Sequence, residues 1–191
     1  MKFVSILLIS VFPLVAFAGE KEEEAYDILE KYCFAPRLNP EAIASLLSEG
    51  GAKKLPKEEA QLRLGQPGDV WSLKTKLTGY LINAEPGVCT VVHHNLDFLQ
   101  MTSVAEERLK IKDEILGENE IVSVSTFKFT LAEGQKAASK VIFEISTLKV
   151  TANRNMTSMS VVLESMYDKM LREVKPPARC PYSKADQAVC S

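Results

Sequence analysis

Two stretches of the chain decide its fold, EIVSVSTFKFTL at 120–131 and KVIFEISTLKVTA at 140–152. In the first stretch Phe127 and Phe129 fall on alternate positions, and in the second Phe143 falls between two other alternate apolar residues. Because successive side chains of a strand point to opposite faces, each stretch predicts a strand with one apolar face. The turn-forming residues Ala-Glu-Gly-Gln between them predict a long antiparallel hairpin.

Shorter strand patterns precede this hairpin. Residues 70–74 alternate around Trp71 after a Pro-Gly-Asp turn, which predicts a strand start. Two apolar runs at 80–84 and 88–92 flank the sequence Glu-Pro-Gly at 85–87, which is typical of a tight turn. The sequence therefore predicts a second, smaller hairpin.

Apolar spacing and capping residues predict four helices ahead of the long hairpin. They run from Glu20 to Phe34, from Pro40 (after Asn39 as N-cap) to Gly50, from Pro56 to Leu64, and from a cap at Asn95 or Asp97 to about Leu109. The segment after Asn155 fits both a helix and a strand, because its apolar residues follow both spacings. We expect a helix there from about Ser160 to Glu173, after a brief extended stretch.

The order of these elements lacks the strand–helix alternation of a parallel sheet. It predicts the α+β class, with N-terminal helices and an antiparallel sheet of about four to six strands that has helices packed on one face. Length favours one domain. We expect that domain to span residues 19–175 and a disulfide-closed tail to span 176–191.

The first eighteen residues have the three parts of a secretory signal peptide. Lys2 supplies the positive charge, residues 3–15 form an apolar run, and Ala16-Phe17-Ala18 matches the cleavage rule. A membrane anchor would need about 20 apolar residues, and this run is shorter and contains a proline. We therefore expect cleavage after Ala18, export to the periplasm or the extracellular space, and no transmembrane segment in the mature chain.

The chain has four cysteines, all after the predicted cleavage site. An even number in an oxidising compartment predicts two disulfides, for which three connectivities are possible. Spacing favours Cys33–Cys89 and Cys180–Cys190, because the second pair would close a short loop near the C-terminus.

Composition and missing motifs exclude several functions. The chain has 23 basic and 25 acidic residues, a balance too even for an electrostatic nucleic-acid binder. It contains no glycine-rich nucleotide loop, no nucleophile elbow and no zinc-hydrolase spacing. The sequence therefore predicts no cofactor, no metal and no nucleic-acid partner.

Candidate catalytic side chains concentrate in His93-His94-Asn95-Leu96-Asp97, which holds both histidines of the protein. His94 and Asp97 could pair as a base with its orienting carboxylate. If a strand runs through His94, however, His93 and His94 point to opposite faces, which argues against a shared metal. Trp71 is a candidate binding residue, since tryptophan is enriched at binding hot spots, although a core position is the simpler interpretation.

These patterns favour a small exported protein, periplasmic in location, that acts by binding. It could be an envelope accessory subunit, an inhibitor or immunity-like factor, or a ligand-binding domain, with an envelope protein or a small ligand as its partner. The alternative is an exported hydrolase that uses His93 or His94 with Asp97, with or without a metal.

Overall fold

A computed structural model of the chain describes residues 19–64, 69–118, 122–131, 139–151 and 154–167. The predicted signal peptide at 1–18 and the predicted tail at 176–191 lie outside these ranges. The described part combines helices with one antiparallel sheet, which confirms the mixed α+β class.

Four helices precede or interrupt the sheet. They are α1 (Glu20–Leu29), which continues into a π-helical turn (Glu30–Phe34), α2 (Pro40–Glu49), α3 (Lys57–Leu64) and α4 (Phe98–Leu109). A further helical turn at 164–167 follows the last described strand.

Local chemistry fixes where these helices begin. The side chain of Asn39 accepts a hydrogen bond from the backbone N–H of Ala42 at 2.9 Å, as its N-cap position predicts. Asp97, rather than Asn95, caps α4, and its Oδ1 accepts from the N–H of Gln100 at 2.9 Å. Acidic residues in the first turn of α1 match the positive end of the helix dipole.

The described residues form eight strands in one sheet, all paired antiparallel. Their order across the sheet is β1-β2-β3-β4-β8-β7-β6-β5. The strands are β1 (Lys53–Lys54), β2 (Asp69–Lys74), β3 (Gly79–Glu85), β4 (Val88–His94), β5 (Glu114–Glu118), β6 (Val122–Leu131), β7 (Ser139–Thr151) and β8 (Arg154–Leu163).

The hairpin of β3 and β4 has the predicted tight turn. Glu85 pairs with Val88, so Pro86 and Gly87 form the connection. Gly87 has φ of 76°, a left-handed conformation that glycine adopts without strain. A Cβ at this position would also contact the side chains of Met166 and Leu163, which would have to shift.

One face of the sheet, which we call the inner face, carries most of the buried apolar side chains. Cross-strand registers arrange these side chains in rows that run across the sheet. One row holds Trp71, Ile82, Val91, Met159 and Ile145, and the next holds Ala84, Cys89, Val161, Phe143 and Phe127. The same apolar cluster includes residues of α1, α2 and α4, so helices and sheet share one core.

The disulfide Cys33–Cys89 ties the π-helical turn to β4, with Cα atoms 5.6 Å apart. It is the first of the two bridges that the sequence predicts, and both of its residues are fully buried in the core. The predicted Cys180–Cys190 bridge lies outside the described residues.

The helix predicted from about Ser160 is wrong over its first residues. Residues 154–163 form β8, which lies between β4 and β7 and is paired on both sides. Met159 and Val161 point to the inner face, whereas Ser158 and Ser160 alternate with them. Helical structure begins only at residue 164, and residues 168–173 lie outside the described ranges.

The sheet also has more strands than the four to six expected. Residues 154–163, which form β8, supply one more strand, and no local pattern indicates β1 or β5. β1 is two exposed lysines, and β5 contains a glycine and a register shift between Ile115 and Gly117. Such short or irregular strands carry no clear alternation and form only because a longer strand pairs with them.

Candidate functional site

The sequence-predicted site lies at the end of the sheet where β4 stops and β8 begins. The inner face there changes from apolar to polar. Tyr80 and His93 are followed across the sheet by Thr157, Thr147 and Ser123, and all five are buried. We call this row the polar end, and the row that contains Cys89 and Phe143 the disulfide end.

His93 is buried within the polar end and is only 3% exposed. Its Nε2 lies 2.8 Å from the hydroxyl of Thr78, and its ring stacks at a tilt on Tyr80 with centroids 4.8 Å apart. Nδ1 is buried without a hydrogen-bond partner. Burial, with lesser repulsion from Lys21 and His94, lowers the pKa of His93 to about 4, so the ring is neutral near pH 7.

The neighbours of His93 form a hydrogen-bonded group. The hydroxyls of Tyr80 and Thr75 both donate to Oε2 of Glu24, at 2.9 and 3.0 Å. Burial, followed by the hydrogen bond to Glu24, raises the pKa of Tyr80 well above its ordinary value. These groups satisfy one another, which is typical of a buried polar network that fixes a structure.

His94 points to the opposite face of the sheet and is exposed. It lines a recess of about 350 Å³ together with Asn95, Val150 and Arg154. The alternation of side chains along β4 therefore separates the two imidazoles, as expected for a strand that runs through His94.

Asp97 is engaged by the start of α4. One carboxylate oxygen caps the helix, and the backbone N–H of Asp97 donates to Oε1 of buried Glu22 at 2.9 Å. The proposed pairing of Asp97 with His94 is absent from the hydrogen bonds of these two described residues. The structure thus does not bring the three candidate catalytic groups together.

Trp71, the candidate binding residue, is 8% exposed and packs in the core cluster. Its indole Nε1 is buried without a hydrogen-bond partner, and Lys54 Nζ lies 5.9 Å from the ring centroid. Because little of its ring is exposed, Trp71 offers almost no surface to a partner in this conformation.

A cleft of about 570 Å³ adjoins the polar end. We call it the terminal cleft, because it lies where β4 and β7 end and β8 begins. Asn95, Leu96 and Asp97 line one side, and the other side is formed by Lys149, Thr151, Arg154 and Asn155.

Backbone and side-chain hydrogen bonds hold the two sides of the terminal cleft in place. The N–H of Asn95 donates to the carbonyl of Asn155 at 3.1 Å, and the N–H of Asn155 donates to Oδ1 of Asn95 at 3.3 Å. Asn155 Nδ2 donates to the carbonyl of Leu96 at 3.0 Å. Asn95 is left-handed, with φ of 68°, a conformation that asparagine tolerates better than most residues. The cleft is therefore a built part of the fold.

The polar groups of the terminal cleft are incompletely paired. Lys149 and Arg154 are both exposed, and neither makes an ion pair within the described part of the chain. Arg108, by contrast, contacts three carboxylates of α1 and the π-helical turn. Oδ1 of Asn155 is buried and has no hydrogen-bond partner. Because that oxygen is closed off from solvent, what the cleft offers to a ligand is its two cations.

Sequence reasoning identified Asn95 to Asp97 but missed the opposite side of the terminal cleft. Lys149, Thr151 and Arg154 look like ordinary solvated residues at the end of a hairpin. They reach the cleft because β8 pairs with β4, with His94 opposite Met156, and that long-range register is not visible in local periodicity. No short-range signal in the sequence could have found them.

Among the described residues, no group of three or more His, Cys, Asp or Glu side chains could hold a metal ion. No helix in the same ranges has the length and apolar content needed to cross a membrane. Comparison with known proteins found no matching family model, no matching curated protein and no matching solved structure. The function is therefore inferred from the residues themselves.

Proposed function

We propose that this chain is a small exported protein, periplasmic in location, that acts by binding. The observation that carries the proposal is the terminal cleft, which presents unpaired polar groups on a hydrogen-bonded frame. A preformed cleft with a few polar groups of fixed position is typical of a small-ligand site. Export is supported by the signal pattern at 1–18 and, more weakly, by the buried Cys33–Cys89 bridge.

Binding has better support than hydrolysis. A general base must come within hydrogen-bond reach of the proton that it removes. His93 is covered by the core, His94 lies on the other face, and one oxygen of Asp97 is occupied by the helix cap. The alternative, an exported hydrolase based on these three residues, therefore lacks an assembled catalytic group.

Among the kinds of binding protein considered, the terminal cleft favours a ligand-binding domain. An accessory subunit or an inhibitor would need a partner surface, and the five large apolar side chains exposed in the described ranges are spread over several elements. They are Leu62, Leu77, Leu99, Leu148 and Val150. The cleft, in contrast, concentrates its unpaired groups in one place.

The proposal is tested by isolating the protein from its own cell envelope after expression of the full chain. We expect the N-terminal residue to be Gly19, the protein to be in the exported fraction, and a small molecule or protein to co-purify with it. Retention of residues 1–18 in the cytoplasm would contradict the export part.

A second test separates binding from hydrolysis. His94→Gln removes the exposed candidate base and leaves every residue that lines the terminal cleft in place. We expect this variant to keep the biological activity of the protein. Loss of activity in His94→Gln with unchanged thermal stability would favour the hydrolase.

A further inference from the structure

We infer that the ligand of the terminal cleft is a small polar acid, a molecule that carries a carboxylate and, next to it, hydroxyl or N–H donors. The inference rests on the proposed binding function and names the ligand class for the same site. It comes from the arrangement of Lys149, Arg154 and Asp97 around one cleft.

The two cations call for an anionic group. Arginine presents a planar fork of donors that fits a carboxylate in a bidentate manner, and lysine adds a second positive charge. The chain as a whole is acidic, with a formal net charge of −2, yet neither cation has a carboxylate partner among the described residues. A ligand carboxylate would supply that partner.

Asn155 holds the frame of the cleft and does not contact the ligand through its amide oxygen. Its Nδ2 donates to the carbonyl of Leu96, and its Oδ1, which has no partner, is closed off from solvent. The donors on the ligand are therefore required by Asp97.

Asp97 restricts the ligand further. Only one of its carboxylate oxygens has a hydrogen-bond partner in the cap, and the residue lines the same cleft. Its negative charge disfavours a compact, highly charged anion such as phosphate and favours a ligand with donors beside its acid group. The volume, about 570 Å³, is within the range of small-molecule sites. Sugar acids, hydroxy acids and short peptides meet these requirements.

The test is an NMR titration of ¹⁵N-labelled mature protein with matched probes. One pair is glucuronate and glucose, which share ring hydroxyls but differ in the carboxylate. The other pair is alanyl-alanine and its C-terminal amide, and acetate and inorganic phosphate serve as simple anions. We expect at least one acid of a pair to bind saturably with Kd of about 1 mM or lower, and its neutral partner, acetate and phosphate to bind about tenfold more weakly or worse. The shifted amides should belong to Asn95, Thr151, Arg154 and Asn155.

Charge-removing variants locate the interaction. Arg154→Gln and Lys149→Gln should each weaken the binding of the acid about tenfold. Lys140→Gln is the matched control, because it removes the same charge from the opposite end of β7 and should leave the affinity unchanged. Unfolding curves of all three variants show whether each one is folded.

Three results would overturn the ligand class: no saturable shift in the terminal cleft with either acid, equal affinity for an acid and its neutral partner, or an equal loss with Lys140→Gln. The envelope isolation separates this failure from a failure of the proposed function. If Arg154→Gln and Lys149→Gln still retain a partner, the proposed binding function stands and the proposed ligand class is wrong. If no partner is isolated and no probe binds, both proposals are wrong.

Discussion

The disulfide end and the polar end of the inner face differ in nearly every physical respect. The row at the disulfide end is apolar throughout and includes the fully buried Phe143 and Val161. Four residues further along the same strands, about 13 Å away, the side chains are His93, Thr157 and Thr147. One end thus packs without polar groups, whereas the other is held by hydrogen bonds and opens into the terminal cleft.

This difference teaches that stability and recognition are divided along the strands. Apolar packing and a covalent bridge need no solvent, so they occupy the covered end. A ligand site needs polar groups that are fixed and still reachable, so it belongs at the rim, beside a polar network that holds its frame. Changes at the disulfide end should therefore alter stability most, and changes at the cleft should alter binding alone.

The largest expected effect is loss of the bridge at the disulfide end. Cys33 and Cys89 are separated by 56 residues. The double variant Cys33→Ala/Cys89→Ala should lower the free energy of unfolding by about 4 kcal/mol, because the unfolded chain regains the entropy of an open loop. Urea denaturation under non-reducing conditions measures it. A loss below about 1 kcal/mol would show that the disulfide end does not dominate stability.

The next effect concerns the polar end and depends on pH. The pKa of His93 is about 4 in the folded protein, below its unfolded value near 6.5. The unfolded chain therefore takes up the proton first. Stability is fully present above pH 6.5 and is lost as the pH falls towards 4.

Replacing His93 with a side chain that does not titrate isolates this contribution. When the pH falls from 7.5 to 4.5, the wild type should lose about 2 kcal/mol more unfolding free energy than His93→Gln loses. Urea denaturation of both proteins at both pH values measures this difference. Thr147→Val, a substitution in the same row that keeps both histidines, is the control and should show the pH dependence of the wild type. An identical pH dependence in wild type and His93→Gln would contradict the burial of a neutral imidazole.

Reciprocal exchanges of threonine and valine give a smaller effect at each end. Val161→Thr buries a hydroxyl among apolar groups and should cost about 2 kcal/mol. Thr147→Val removes a 2.9 Å contact between the hydroxyls of Thr147 and Thr157, and it should cost about 1 kcal/mol. Thermal unfolding compares the two. If Thr147→Val proved the more damaging, the polar end would be the principal source of stability.

The smallest effect on stability is expected in the terminal cleft. Arg154→Gln and Lys149→Gln should each change the free energy of unfolding by less than about 0.5 kcal/mol, because both side chains are exposed and make no ion pair among the described residues. Urea denaturation of each variant checks this. Destabilisation by about 1 kcal/mol or more would mean that these cations serve the fold.

Much of the fold followed from local sequence patterns. Asn39-Pro40 predicted a capped helix start, and Pro86-Gly87 predicted a tight turn, because both rest on the conformations of single residues. β8 could not be predicted, since Met159, Val162 and Leu163 follow a helical spacing while Val161 alternates with Met159 and Leu163 as in a strand. Pairing with β4 and β7 decided between them.

Only one side of the candidate site was predictable, for the same reason. His93 to Asp97 are contiguous, so their polar character was visible, and strand alternation already separated the two imidazoles. The burial of His93 depends on tertiary contacts. The position of Arg154 across the terminal cleft from Asn95 depends on strand register. Local periodicity contains no information about either one.

The central claim, that the terminal cleft is where this protein binds, is tested most directly by native mass spectrometry. Wild type, the double variant Lys149→Gln/Arg154→Gln and the control Lys140→Gln are isolated in parallel from the cell envelope. We predict an added small-molecule mass on the wild type and on Lys140→Gln that is absent from the double variant. The same added mass on all three proteins, or none on the wild type, would contradict the claim.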